Sequence, residues 1–294
     1  MSIAVAAPVI NPHEAVKKVT TIATLPEVTA KIIATVENPK SSAQELHKIV
    51  SHDPALVTRI LKVVNSAFYG LPGQIGSIER AIVLLGLNAV KNIAVAASLG
   101  QLFRGAKLSD TFSAKDLWRH CIAVGVASRD LAKQMKLPMA EEAFLAGMIH
   151  DMGILVSMQL WPEQIRAVCD RASHAIGASD AATFCEMERE MIGADHQQLG
   201  LALAEQWKFP QACQLVAGNH HNPSALGGQS RLLVSVVYAA DTICCQSKHG
   251  FNLTAINQKL DSAGLDDVKI DRALIERTAA NLDELVEVAS SVLG

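Results

Sequence analysis

The chain has 294 residues and a formal net charge of −3, with 50% apolar and only 4% aromatic residues. That length gives one large or two modest domains whose cores need no disulfide staples and must be built from Ala, Val, Leu and Ile. The longest basic run is Lys17-Lys18 and acidic blocks are absent, so neither direct nucleic-acid binding nor a charged disordered tail is expected.

Residues 1–14 read as a poorly ordered leader; MSIAVAAPVINP lacks the positive start of a signal peptide. No uncharged apolar stretch approaches the ~20 residues that span a bilayer, so a cytoplasmic protein without membrane association is expected. Residues 15–104 read as a first helical lobe. Val28, Ile32, Ile33 and Val36 share one face between Pro26 and Pro39. Ser42 and Glu45 have capping-box spacing, and Asp53-Pro54 places a cap before a proline at the first helical position. Gly70, Pro72 and Gly73 stop that helix, and two more follow Ser77, interrupted near Gly86.

The turn-rich segment Gly105–Ser113 divides the lobes. Residues 105–294 form a second lobe with helical patterns at 114–136, 141–160, 162–175, 180–192, 196–207, 210–219, 229–247 and 271–292. No convincing strand alternation interrupts them, so the fold class is all-α. Cys121, Cys169, Cys185, Cys213, Cys244 and Cys245 form no C-x-x-C and read as buried free thiols.

Three passages of the first lobe carry a family resemblance: Leu25-Pro26-Glu27; His52-Asp53-Pro54-Ala55-Leu56 running into Asn65-Ser66-Ala67-Phe68-Tyr69-Gly70; and Ile78 to Gly86. In this order they resemble the HDOD family, the HD-related output domains of bacterial signal transduction, over residues 20 to 220 or so. The second lobe resembles the HD superfamily of metal-dependent phosphohydrolases, centred on His150-Asp151. An adjacent imidazole and carboxylate can reach one metal, and the carboxylate can bridge to a second. Asp116 and His120 lie upstream at helical i, i+4 spacing, and His196, His220, His221 and Asp241 lie downstream. The order is that of the HD-GYP cyclic-dinucleotide phosphodiesterases. It implies that these eight side chains meet around one or two divalent ions: iron, manganese or another transition metal. His13, His47, His52, His174 and His249 read as solvated or capping residues.

The departures from that branch concern substrate handling. Asp116 stands where the family more often has Glu, and Ile154 where the catalytic branch has a phosphate-facing lysine. The Gly-Tyr-Pro loop is replaced by Asn222–Gly228. Loss of a cation at ~4 Å from a phosphate removes several kcal/mol of transition-state stabilisation. The expected function is therefore a non-enzymatic regulatory module that acts through protein contacts, beside sensor kinases or response regulators. A metal-dependent nucleotide or cyclic-dinucleotide phosphohydrolase and a purely structural metal site are the alternatives.

Overall fold

A computed structural model describes residues 9–19, 25–36, 38, 40–103, 113–178, 181–255, 257–260 and 262–294. Among them the chain is helical and holds no strand. Local chemistry sets the starts of the first-lobe helices α2 (Glu27–Val36), α3 (Ala43–Val50), α4 (Pro54–Val64), α5 (Ile78–Leu85) and α6 (Leu87–Leu99). Ser42, Asp53 and Ser77 each accept a hydrogen bond from the backbone N–H three residues on, which satisfies a donor that the helix cannot. The α6 helix packs against α2, α4 and α5 and is buried from Ala89 to Leu99, so it forms the axis of the lobe. Its Lys91 is also buried; the ammonium donates to the Thr35 carbonyl at 2.5 Å and to the Ser41 hydroxyl, closing the end of α2.

An earlier helix, α1 (Pro12–Lys18), corrects the expectation of a loose leader. Asn11 caps it, Val16 is fully buried, and the helix packs against the second lobe rather than the first. Ile10 N–H reaches the Gly193 carbonyl and His13 meets Glu205 at 2.7 Å, fixing the approach to the helix. The remainder of that leader, residues 1–8, lies outside the described residues.

The second lobe contains α7 (Ala114–Gln134), α8 (Ala140–Ile149), α9 (Met152–Leu160), α10 (Pro162–His174), α11 (Phe184–Met191), α12 (His196–Gln206), α13 (Gln211–Asn219), α14 (Gly228–Gln246), the short α15 (Ser262–Asp266) and α16 (Arg272–Leu293). The pattern at 141–160 resolves into two helices, α8 and α9, that meet at His150-Asp151. By length and composition alone Ala140–Leu160 matches a membrane span, but 83% of its most apolar window is buried in the protein. Close packing rests on missing side chains. Gly125 on α7 faces Gly147 on α8, where a Cβ on Gly147 would come within 2.9 Å of Gly125 Cα. A Cβ on Gly153 of α9 would lie 1.9 Å from the His196 carbonyl oxygen, so α9 and α12 touch backbone to backbone.

The expected joint at 105–113 lies almost wholly outside the described residues; α6 packs on α8 and α4 on α16 across it, and one continuous core runs through both sides. The Asn65–Gly70 passage has a specific place there. Asn65 brackets Ile75, accepting from its N–H and donating to its carbonyl, which fixes the turn after α4. Phe68 and Tyr69 then meet Arg129 of α7, whose guanidinium lies 4.3 and 4.1 Å from the two ring centres. Arg129 also binds the Phe68 carbonyl and pairs with Glu141 of α8 at 2.7 Å, and the Tyr69 hydroxyl donates to that carboxylate.

Candidate metal centre

Each element delivers its side chain for a local reason. The helix break after Ile149 turns both His150 and Asp151 inward, and Gly153 lets His196, at the first turn of α12, approach them. His220 ends α13, and His221 follows in the turn that leads to Asn222. His120 comes from the second turn of α7 and Asp241 from the middle of α14, whose neighbours Ala239, Ala240 and Thr242 are all buried.

These seven side chains converge. Asp151 lies at the centre: its Oδ1 is 3.4 Å from both His196 Nε2 and His220 Nε2, and its Oδ2 is 3.3 Å from His150 Nε2 and 3.7 Å from His120 Nε2. Asp241 Oδ1 stands 3.0 Å from His120 Nε2 and 3.7 Å from His150 Nε2. Two donor groups result, Asp151 with His196, His220 and His221, and His120 with His150 and Asp241, and Asp151 faces both.

Asp116 is the exception among the eight expected residues. Its carboxylate accepts from the Ser113 hydroxyl while its N–H donates back to the same oxygen, so the short side chain is spent on the cap of α7. It belongs to neither donor group. His249 also departs from expectation: it is buried, and its carbonyl faces His120 Nδ1.

Hydrogen bonding orients the histidine rings. A carbonyl oxygen only accepts, so a ring nitrogen facing one carries the proton. By this rule Nδ1–H of His150 donates to the Gly147 carbonyl at 2.7 Å and that of His220 to Val216 at 3.1 Å, while His120 faces an acceptor at each nitrogen, the His249 carbonyl at 3.3 Å from Nδ1 and Asp241 Oδ1 at 3.0 Å from Nε2. His196 Nδ1 meets the buried Glu188 carboxylate at 2.5 Å, and His221 Nδ1 the Gln258 side-chain oxygen at 3.0 Å. All five rings thus turn Nε2 inward. His196 Nε2 lies 3.2 Å from that of His220 and 3.1 Å from that of His221, so the three ring nitrogens face one another. Asp151 (both oxygens), Asp241 Oδ2 and His150 Nε2 are buried without a hydrogen-bond partner. Such a set requires positive charge at its centre.

Protonation answers that need only in part. Burial opposes charge on His150, but Asp151 and Asp241 outweigh it and push the imidazole up to about 10. Burial works against the two carboxylates as well, yet the surrounding histidines hold Asp151 and Asp241 well below the usual range. His220 and His221 are driven down by burial, leaving neutral donors. Five imidazole nitrogens with two carboxylates suit a transition ion, and outward N–H bonds to carbonyl or carboxylate are the usual support of metal-bound histidine.

Sequence reasoning missed that outer support. Glu188 left one signal: it falls on the buried stripe of Phe184, Cys185 and Met187, where a lone carboxylate needs a partner. Gln258 left none, because it reaches His221 from a loop.

A family model described as the HDOD domain matches residues 22–223, more than half of the chain. The chain belongs to the HDOD domain family. An uncharacterised protein of Treponema pallidum (strain Nichols) is 27% identical over 221 residues, which cover 74% of this HDOD chain and 41% of that protein. The chain therefore spans less than half the length of that relative. Among solved structures, an HDOD domain protein of unknown function from Geobacter sulfurreducens superposes with a TM-score of 0.77 at 19% identity, covering 96% of both chains. A Shewanella amazonensis SB2B protein, provisionally named a phosphohydrolase, gives 0.69 at 25% identity, covering 95% of this chain and 97% of that one. A Marinobacter aquaeolei VT8 protein, provisionally named a signal transduction protein, gives 0.72 at 23% identity, covering 96% of this chain and 64% of that one.

Proposed function

We propose that this HDOD chain is a cytoplasmic signalling module that binds two divalent transition ions and acts through protein contacts rather than hydrolysis. The observation that carries the metal reading is the ring orientation: five inward Nε2 atoms around two carboxylates, with Asp151 facing both halves. His196, His220, His221 and Asp151 would hold one ion; His120, His150, Asp241 and the same Asp151 would hold the other. Divalent ions there would supply Lewis acidity and, in an open site, acidified water.

Access argues against turnover. His120, His150, Asp151, His196, His220 and Asp241 are fully buried, and only the edge of His221 reaches a cavity. Ile154 is also fully buried in the core, so the position offers no group to a phosphate. The ions would then tie α7, α9, α12, α13 and α14 into one rigid unit that presents its surface to sensor kinases or response regulators. One observation favours the phosphohydrolase reading instead. A cavity of about 580 Å³ opens beside His221, with Arg189 and Lys259 in its wall. Assays of the metal-loaded protein on a cyclic dinucleotide and on bis(p-nitrophenyl) phosphate, with iron, manganese or magnesium, separate the two. No turnover above background is expected; multiple turnovers abolished by Asp151→Ala would establish the hydrolase.

A further inference from the structure

The two halves of the cluster do not have equal access to solvent. His120, His150 and Asp241 line none of the described cavities, whereas His221 lines two, of about 150 and 580 Å³, and its side chain is 10% exposed. His221 is held in place by glutamines. Gln197 accepts from its backbone N–H at 3.0 Å, and Gln258 accepts from its ring at 3.0 Å. The Gln258 amide also donates to the Thr242 hydroxyl at 2.6 Å, next to Asp241 on α14. Both glutamines line the larger cavity.

We propose that His221 and Gln258 form the exchange gate of this centre: the ion on the three-histidine side is exchangeable and the ion on the His120–His150–Asp241 side is retained. The inference rests on the two-metal reading above. Rotation of one ring, freed by the loss of one hydrogen bond, opens the outer half to the cavity. No comparable single movement exposes the inner half, whose ligands sit on α7, α14 and the α8–α9 junction with 0% exposure. The gate is also wired to the surface. Asn257, next to Gln258, accepts from Gly177 N–H at 2.9 Å and donates to the Ala175 carbonyl at 2.8 Å. Occupancy of the outer half therefore sets the order of two surface segments, 175–178 and 257–259, which makes the module responsive to available metal. The nitrogen-rich outer half suits zinc, iron, cobalt or nickel over magnesium or calcium.

The test uses the full chain loaded with zinc and then exposed to excess chelator, with metal release followed by absorbance and amide exchange followed by mass spectrometry. Release in two phases is expected, one ion per chain in each, with rates at least tenfold apart. Exchange should rise at 175–178 and 257–259 during the fast phase. Q258A should weaken the fast ion by about 10–100-fold, the usual effect of removing an outer support, and leave the slow ion unchanged. Q258E, which keeps an acceptor for the ring N–H, should restore it, and H221A should bind one ion. Circular dichroism identifies any variant that fails to fold, and Q258E then stands as the comparison. Release of both ions at one rate, or equal acceleration of both by Q258A, overturns the gate while leaving the two-metal centre intact. A wild-type chain that never retains metal overturns both.

Discussion

The two lobes differ in one respect in how they bury polar groups. In the first lobe Lys91 and Asn65 are each closed by carbonyl, hydroxyl or amide partners, and the unpartnered atoms, such as Thr29 Oγ1 and Asn92 Oδ1, are scattered. In the second lobe others, such as Ser128 Oγ, Trp207 Nε1 and Ser290 Oγ, are scattered in the same way, but four converge at one point, on His150, Asp151 and Asp241. A buried polar group that finds its partner is architecture; a convergent set that does not is a site. The contrast also explains the family passages. Asn65–Gly70 ends in a satisfied contact with Arg129 and Glu141, so its chemistry is spent on joining the lobes.

The contrast can be broken most severely at the cluster. Asp151→Ala should remove both ions, since both halves share that carboxylate, while His174→Ala, at an exposed side chain, should leave metal content unchanged. Gly153→Ala should destabilise the second lobe by about 3 kcal/mol or more, because the new methyl meets the His196 backbone rather than a yielding side chain. Urea unfolding measures that loss, and metal should fall with it. At the lobe contact, Arg129→Ala leaves the Glu141 carboxylate with the Tyr69 hydroxyl as a remaining donor and should cost about 2 kcal/mol with metal content retained.

The outcome for each residue shows what a sequence can carry. The resemblance to the HD superfamily, carried by the order of residue types, named eight side chains, and seven of them meet in one cluster although nothing local in the sequence brings them together. Asp116 was misplaced because a carboxylate at the third position of a helix has a local use, here with Ser113, that spacing alone does not distinguish. The all-α class and most helix starts were legible from caps. The break at His150-Asp151 was not, because Ala140–Leu160 is apolar on every side and presents no change of period. Helix α1 was missed for a related reason: its seven residues are too few for periodicity, and it is stabilised by docking on α12.

Smaller effects sharpen the same contrast. In chelated protein His150, raised from 6.5 to about 10, stabilises the fold fully below pH 6.5, and that contribution fades as pH rises through 10. The metal-free chain should therefore lose urea resistance between pH 6.5 and 10, while the loaded chain, whose ligands have released their protons, should not. Metal occupancy should fall on acidification for the same reason. Tyr69→Phe removes one hydrogen bond to Glu141 and should cost about 1 kcal/mol without altering metal content.

Elemental analysis of protein purified without an affinity tag tests the metal centre most directly, with Asp151→Ala measured in parallel. Two divalent transition ions per wild-type chain, and none in the variant, is the predicted result. Wild-type protein that stays free of metal after incubation with iron, manganese or zinc near pH 8, or metal that persists in Asp151→Ala, would contradict it.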